Sequence, residues 1–323
     1  MNDLDLMEKF RSDVPPPTAA VLTGARARMF RAEPRKARKR WVWSLIPATA
    51  VGVVTAAVAF TVVGVNPEQP EQREQQSSTE AAQVLRLAAA EARREPVQPA
   101  RPDQFVYVES LVAWGGAEAS ASGDMKDAKY IPPVEKNRRI WLSADGTRDG
   151  LLRERATDPK DATDPTHSVH ENVPLPAQGT PIPAYLRNLP TDAKGMREWL
   201  YAGAETGKEG GNPPDVTAFV KVGDTLREQY VPPASAAAMF EAAATIPGTT
   251  VVKQVDLAGR RGVAVSKVHH ATRHDLIFDA TSYRFLGERE VAQNDAAPFP
   301  AGAVIGWTAQ LKVAVVDRAG QLP

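Results

Sequence analysis

Hydrophobic and polar positions along this chain follow three patterns. The first is an unbroken apolar run over residues 42–65, without a charged residue, in which Leu45, Ile46 and Phe60 add bulk to Val and Ala. At about 1.5 Å per residue a helix of that length reaches roughly 36 Å, enough to cross a hydrocarbon core about 30 Å thick. The second pattern is helical periodicity. Val21, Leu22, Ala25 and Met29 share a face behind Thr18, and Ala81, Ala82, Val84, Leu85, Leu87, Ala88 and Ala89 carry a helix that Thr79-Glu80 opens and Pro96 stops. Met196, Trp199 and Leu200 follow a cap at Thr191; Phe219, Gly223, Leu226 and Tyr230 follow Pro213-Pro214; Met239, Phe240 and Ala243 follow Pro232-Pro233. The third pattern is β-branched and aromatic alternation. It predicts strands over 104–114, over 139–143 and 151–154 around Asp145-Gly146, over 250–255 and 262–268 across a loop at 256–261, over 275–279 and 283–288, and over 308–316 with Leu311, Val313 and Val315 on one face.

Two stretches carry neither period. Residues 66–79 read as a polar linker, and the Pro-rich 156–184 as a long surface loop. The expected organisation is a cytoplasmic tail with a short amphipathic helix (1–40), a transmembrane helix (41–65), a linker and juxtamembrane helix (66–102), an extracytoplasmic domain (103–317) and a C-terminal tail (318–323). Strands grouped around central helices make the fold class α+β: a single transmembrane helix plus a domain with a curved antiparallel sheet packed by helices.

Charge orients this arrangement. The 323 residues balance 39 Lys and Arg against 39 Asp and Glu, but residues 1–40 hold ten of the former and five of the latter. Arg35, Lys36, Arg38, Lys39 and Arg40 lie directly before the apolar run, and Trp41 and Trp43 stand where indole rings favour the headgroup layer. The basic flank belongs in the cytoplasm, which puts the C-terminal domain outside it at the cell membrane. The partner of that basic cluster is the membrane and not a nucleic acid. Cysteine is absent, so thiol redox and Cys-based metal sites are excluded and the exported part relies on its own core.

Candidate chemistry is sparse. His269 and His270 would face opposite sides of a strand, which argues against one metal ion held by both and by His274. His167 and His170 sit near Asp158, Asp161 and Asp164 without the glycine spacing of a calcium loop. Gly203, Gly207 and Lys208 are one residue short of a phosphate-binding loop, and no Gly-x-Ser-x-Gly occurs. No catalytic, metal or cofactor residue is expected. Phe105, Tyr107, Trp141, Trp199, Phe219, Phe278 and Phe285 read as filling between sheet and helices, with an apolar cavity beneath residues 191–246 as their functional alternative.

The start Phe10-Arg11-Ser12-Asp13-Val14-Pro15-Pro16-Pro17, the basic run, the single span, Gln104-Phe105-Val106-Tyr107-Val108, Trp141-Leu142-Ser143-Ala144-Asp145-Gly146 and Asp279-Ala280-Thr281-Ser282-Tyr283 together resemble a family of uncharacterised actinobacterial single-pass membrane proteins, often encoded beside extracytoplasmic-function sigma factors. The outer domain resembles the fold of lipoprotein carriers and of the sensors that regulate anti-sigma factors. The resemblance implies no established activity; the single span, the polar linker and the lack of catalytic motifs point to a membrane-anchored sensing or regulatory binding protein with an envelope or sigma-pathway partner or an apolar ligand, or else a tethered carrier of lipid or lipoprotein. Zinc-type anti-sigma factors carry a His and two Cys before the membrane; here the first histidine is His167.

The full chain is expected to sediment with membranes and to resist alkaline extraction, and a variant lacking residues 42–65 to appear in the supernatant. Recovery of the intact chain among soluble proteins would contradict the span.

Overall fold

The computed structural model describes residues 70–118, 127–162, 170–177, 181–204, 211–295 and 298–323. The membrane span expected at 41–65, the interfacial Trp41 and Trp43 and the basic Arg35, Lys36, Arg38, Lys39 and Arg40 lie outside these residues. None of the described helices is long and apolar enough to cross a membrane.

Helix α1 (Pro70–Ala92) comes first, then strands β1 (Phe105–Glu118), β2 (Lys129–Ser143) and β3 (Gly150–Ala156), a turn of helix α2 (Pro159–Ala162) and β4 (His170–Leu175). Helices α3 (Ala193–Tyr201), α4 (Pro214–Glu228) and α5 (Pro233–Ala243) follow, and the chain closes with β5 (Thr249–Leu257), β6 (Arg260–His269), β7 (Thr272–Asp279), β8 (Phe285–Ala292) and β9 (Val304–Val316). The strands form one curved antiparallel sheet in the order β4-β3-β2-β1-β9-β8-β7-β6-β5, so the architecture is α+β. The last strand enters the middle of the sheet and joins two meanders that are separate in sequence.

Alternation along the strands assigns each residue to a face. On one face, Val265, Leu276 and Phe278 pack under α1, α3, α4 and α5, whose core residues include Leu85, Met196, Leu200, Phe219, Val222 and Met239. Phe240 of α5 meets Phe278 edge-on, with ring centroids 5.3 Å apart. Gly223 lets α4 lie close to the sheet: a Cβ there would stand 2.1 Å from Oε2 of Glu288. On the opposite face Tyr107 and Trp141 pack 5.2 Å apart, and the Trp141 indole donates to the carbonyl of Gln321 at 2.6 Å. Phe105, Tyr107 and Trp141 therefore do not fill the space between sheet and helices as expected. Their parity in β1 and β2 sends them to the other side, where Ala319 and Val316 join them.

Several boundaries differ from the expectation for local reasons. Residues 70–79, read as linker, are helical: Pro70 opens the helix, and no breaker interrupts the Glu, Gln and Arg that follow. Asp192, not Thr191, caps α3 and accepts from the amide of Gly195 at 2.8 Å. The stretch 156–184 contains β4, which pairs with β3 and carries Pro174 on the free edge, where no ladder partner needs its missing donor. The β5–β6 turn is Ala258-Gly259, with φ of 53° and 73°, a tighter link than a loop over 256–261. Leu311 is 46% exposed because the β1–β9 register shifts beside it, between the pairs Glu109–Lys312 and Ser110–Gln310, and takes it out of line with Val313 and Val315.

Away from the helices the sheet buries a charge. The side chain of Asp275 is fully enclosed and accepts from Ser266 Oγ at 2.6 Å, Arg273 Nε at 2.8 Å and Arg289 Nη2 at 3.0 Å. Asp275→Ala would leave two guanidinium groups facing one another. The expected loss is roughly 3 kcal/mol, the lower end for breaking a buried pair, because both arginines keep partial contact with water. Urea unfolding should show a lower midpoint with an unchanged slope.

Candidate functional site

Helix α1 roofs a groove of about 870 Å³. Glu80, Gln83, Val84 and Leu87 recur at the spacing that places residues on one helical face. Below them lie Val251 of β5 and Val263 of β6, with Tyr283 also in the lining. The buried stripe of α1, including Ala81, Leu85 and Ala88, holds the helix against the core, and Ser78 Oγ donates to the carbonyl of Thr249 at 3.3 Å. Leu87 stays 38% exposed at the groove. The rim is ionic: Lys253 Nζ stands 3.4 Å from Glu80 Oε2, and Arg261 is exposed beside them. An apolar floor with a charged rim suits an amphiphile. The described lining holds one carboxylate, Glu80, and that is already paired.

A second cleft, about 420 Å³, lies at the last turn of α1. Leu226, Tyr230 and Phe240, from residues 191–246, line it together with the charged Glu91, Glu95, Arg260, Arg284 and Lys312. At its base Arg260 donates to the carbonyls of Gln310 at 2.9 Å and Leu286 at 3.2 Å. Burial lowers the pKa of Arg260 from the usual guanidinium value and raises that of the Tyr230 hydroxyl. Gln98 pins the adjoining segment: its amide donates to Tyr230 Oη at 2.8 Å and its carbonyl accepts from Tyr185 Oη at 2.9 Å. The ion pair Arg284–Glu95, at 2.8 Å, stands among the lining residues.

The sequence reading placed the roof residues on a helix but missed the larger groove that they help to line. Val84 and Leu87 were visible as helical, but their partners come from strands more than a hundred and fifty positions later in the chain. The histidines also fall differently. β6 ends at His269, and His270 turns into the left-handed region with φ of 50°, so the two rings lie 3.8 Å apart instead of on opposite faces. His274 Nδ1 stands 3.4 Å from Glu290 Oε1. Asp279 accepts from the amides of Thr281 and Ser282 and shapes the β7–β8 turn. Among the described residues no group of three His, Cys, Asp or Glu could hold a metal ion. His170 starts β4, while His167, Asp164, Gly207 and Lys208 lie outside the described residues.

No family model matches the chain, and no curated protein matches it. Among solved structures it is similar to the complex of Pseudomonas aeruginosa MucA and MucB, at 11% identity and a TM-score of 0.25, over 76% of this chain and 58% of that one. A crystal structure of MucB gives 10% identity and a TM-score of 0.22, over 76% and 60%. A putative outer membrane lipoprotein-sorting protein domain from Vibrio parahaemolyticus gives 8% and 0.21, over 75% and 95%. The chain thus spans about three fifths of the length of the first two. At these TM-scores the likenesses assign no role to any residue.

Burial, with His270, His274 and Lys267 nearby, lowers the pKa of His269 from its usual 6.5. A base with a lowered folded-state pKa stabilises the fold most while neutral. That contribution is complete above about pH 6.5 and shrinks as pH falls through the window between the unfolded and folded values. In NMR titration the His269 ring should titrate below 6.5, and His269→Phe should flatten the acid limb of stability against pH.

Proposed function

We propose that this chain is a membrane-anchored binding protein whose extracytoplasmic domain senses or regulates by taking an apolar ligand, or the apolar segment of an envelope or sigma-pathway partner, under α1. The groove between α1 and the β5–β6 edge carries this reading. Its volume falls within the roughly 300–1,000 Å³ of small-molecule sites, and its apolar lining with an ionic rim suits a ligand with an acyl or aliphatic body and a polar head. Helix α1 begins five positions after the end of the apolar run at 42–65, so the roof of the groove and the anchor are near neighbours in sequence. A tethered carrier of lipid or lipoprotein is the second reading, favoured by the same groove and separated from the first by what happens to the cargo. The chemistry of an enzyme would need convergent ionisable groups, whereas the described lining offers a salt bridge at its rim.

Native mass spectrometry of the full chain released from detergent micelles tests this. The wild type should retain an apolar molecule. Leu87→Glu, at an exposed position where the fold tolerates charge, should lose it with an unchanged thermal midpoint. A carrier would also pass that molecule to acceptor vesicles, while a sensor would keep it. Wild-type protein without bound molecule, together with binding of a hydrophobic dye that Leu87→Glu leaves unaltered, would overturn the reading.

A further inference from the structure

A second site stands on the face of the sheet that carries Tyr107 and Trp141. Arg139 of β2 and Arg153 of β3 are direct cross-strand partners, and Asn137 pairs with Arg155 in the same register. Residues directly opposite share a face, so three guanidinium groups project together. Like charges in this position destabilise a sheet unless something offsets them.

Two carboxylates offset part of the charge. Glu109 accepts from Arg139 Nε at 3.0 Å, Asn137 Nδ2 at 3.2 Å and Tyr107 Oη at 3.0 Å, and these donors hold its pKa below the usual range against the opposing effect of burial. Glu171 pairs with Arg155 on the exposed edge. Glu154 belongs to the other face, where it pairs with Arg138. Arg153 is different. Its Nε donates to Asn172 Oδ1 at 2.6 Å and its guanidinium stacks 5.1 Å above the Trp141 ring, but among the described residues it makes no ion pair. The amide and the indole fix its plane without neutralising it. Asn172 reaches it from the edge strand with φ of 56°, a left-handed backbone that few residues other than Asn and Gly adopt readily. Arg139, Arg153, Arg155 and Asn172, together with Glu154 and Glu171, line a hollow of about 510 Å³.

We propose that this hollow binds a phosphate or phosphodiester group, with the fixed fork of Arg153 as the central contact and Arg139 and Arg155 flanking it. A planar guanidinium matches two oxygens of one phosphate, a geometry that a lone lysine does not offer. The site lies on the opposite face of the sheet from the α1 groove and stands independently of what that groove takes. The phosphate can come from a soluble molecule or from an anionic lipid headgroup.

The test uses the purified full chain, with inorganic pyrophosphate in calorimetry and phosphatidylglycerol vesicles in flotation. Arg153→Gln should weaken the response to whichever probe binds by at least about tenfold. Lys194→Gln, at an exposed position of α3, should leave it unchanged; residues 35–40 are common to all the proteins and cancel. Sensitivity to pyrophosphate assigns a soluble phosphate, and sensitivity to vesicles alone assigns a headgroup. Arg155→Gln removes an exposed side chain and gives the same reading with the fold intact if Arg153→Gln lowers the thermal midpoint. Wild-type protein that binds neither probe, or binding that Arg153→Gln and Arg155→Gln both leave unaltered, overturns the proposal.

Discussion

Everything in this domain hangs on the pairing of β1 with β9. Residues 105–118 and 304–316 are the first and last strands along the chain, yet Val106 faces Val315 and Val108 faces Val313 in one ladder. The pairing turns two meanders into one sheet and leaves only β4 and β5 as edges. Each edge is managed differently: β4 carries Pro174, while β5 lies against α1. Closing so long a loop costs little more than closing one half its length, since the entropy grows only logarithmically. The central strand pair can therefore be assembled from the first and last strands without an unusual stabilising feature.

The sheet has two faces of different character. Under the helices the contacts are apolar and aromatic, centred on Phe278 and Phe240. Two sets of charged groups enter that layer in pairs: Arg227 of α4 meets Glu288 of β8, and Arg138 of β2 bridges Glu154 and Glu228. Desolvation behind α4 still pushes the Glu288 carboxyl above its usual range, because a single guanidinium does not replace all the water lost. The opposite face holds its charges in networks, around Asp275 at one end and around Glu109 at the other. A ligand there meets fixed dipoles and cations, whereas a ligand under α1 meets methyl groups. That contrast is what lets one domain offer two sites of unlike chemistry.

The sequence by itself determined the apolar run at 42–65 with its basic flank, the α+β class, the helices after Pro213 and Pro232, and the C-terminal hairpins. These rest on local periodicity and on residues such as Gly and Pro that act over a few positions. Tertiary structure decided the rest. β4 is polar enough to pass for loop, and pairing with β3 gives it its place. The face that Tyr107 and Trp141 occupy depends on strand parity, which a one-residue shift reverses. The groove and the arginine hollow bring together side chains from strands and helices far apart in the chain. No spacing rule reaches across such distances, because the closeness of Leu87 to Val251, or of Arg153 to Asn172, is a property of the folded sheet and not of the order of residues.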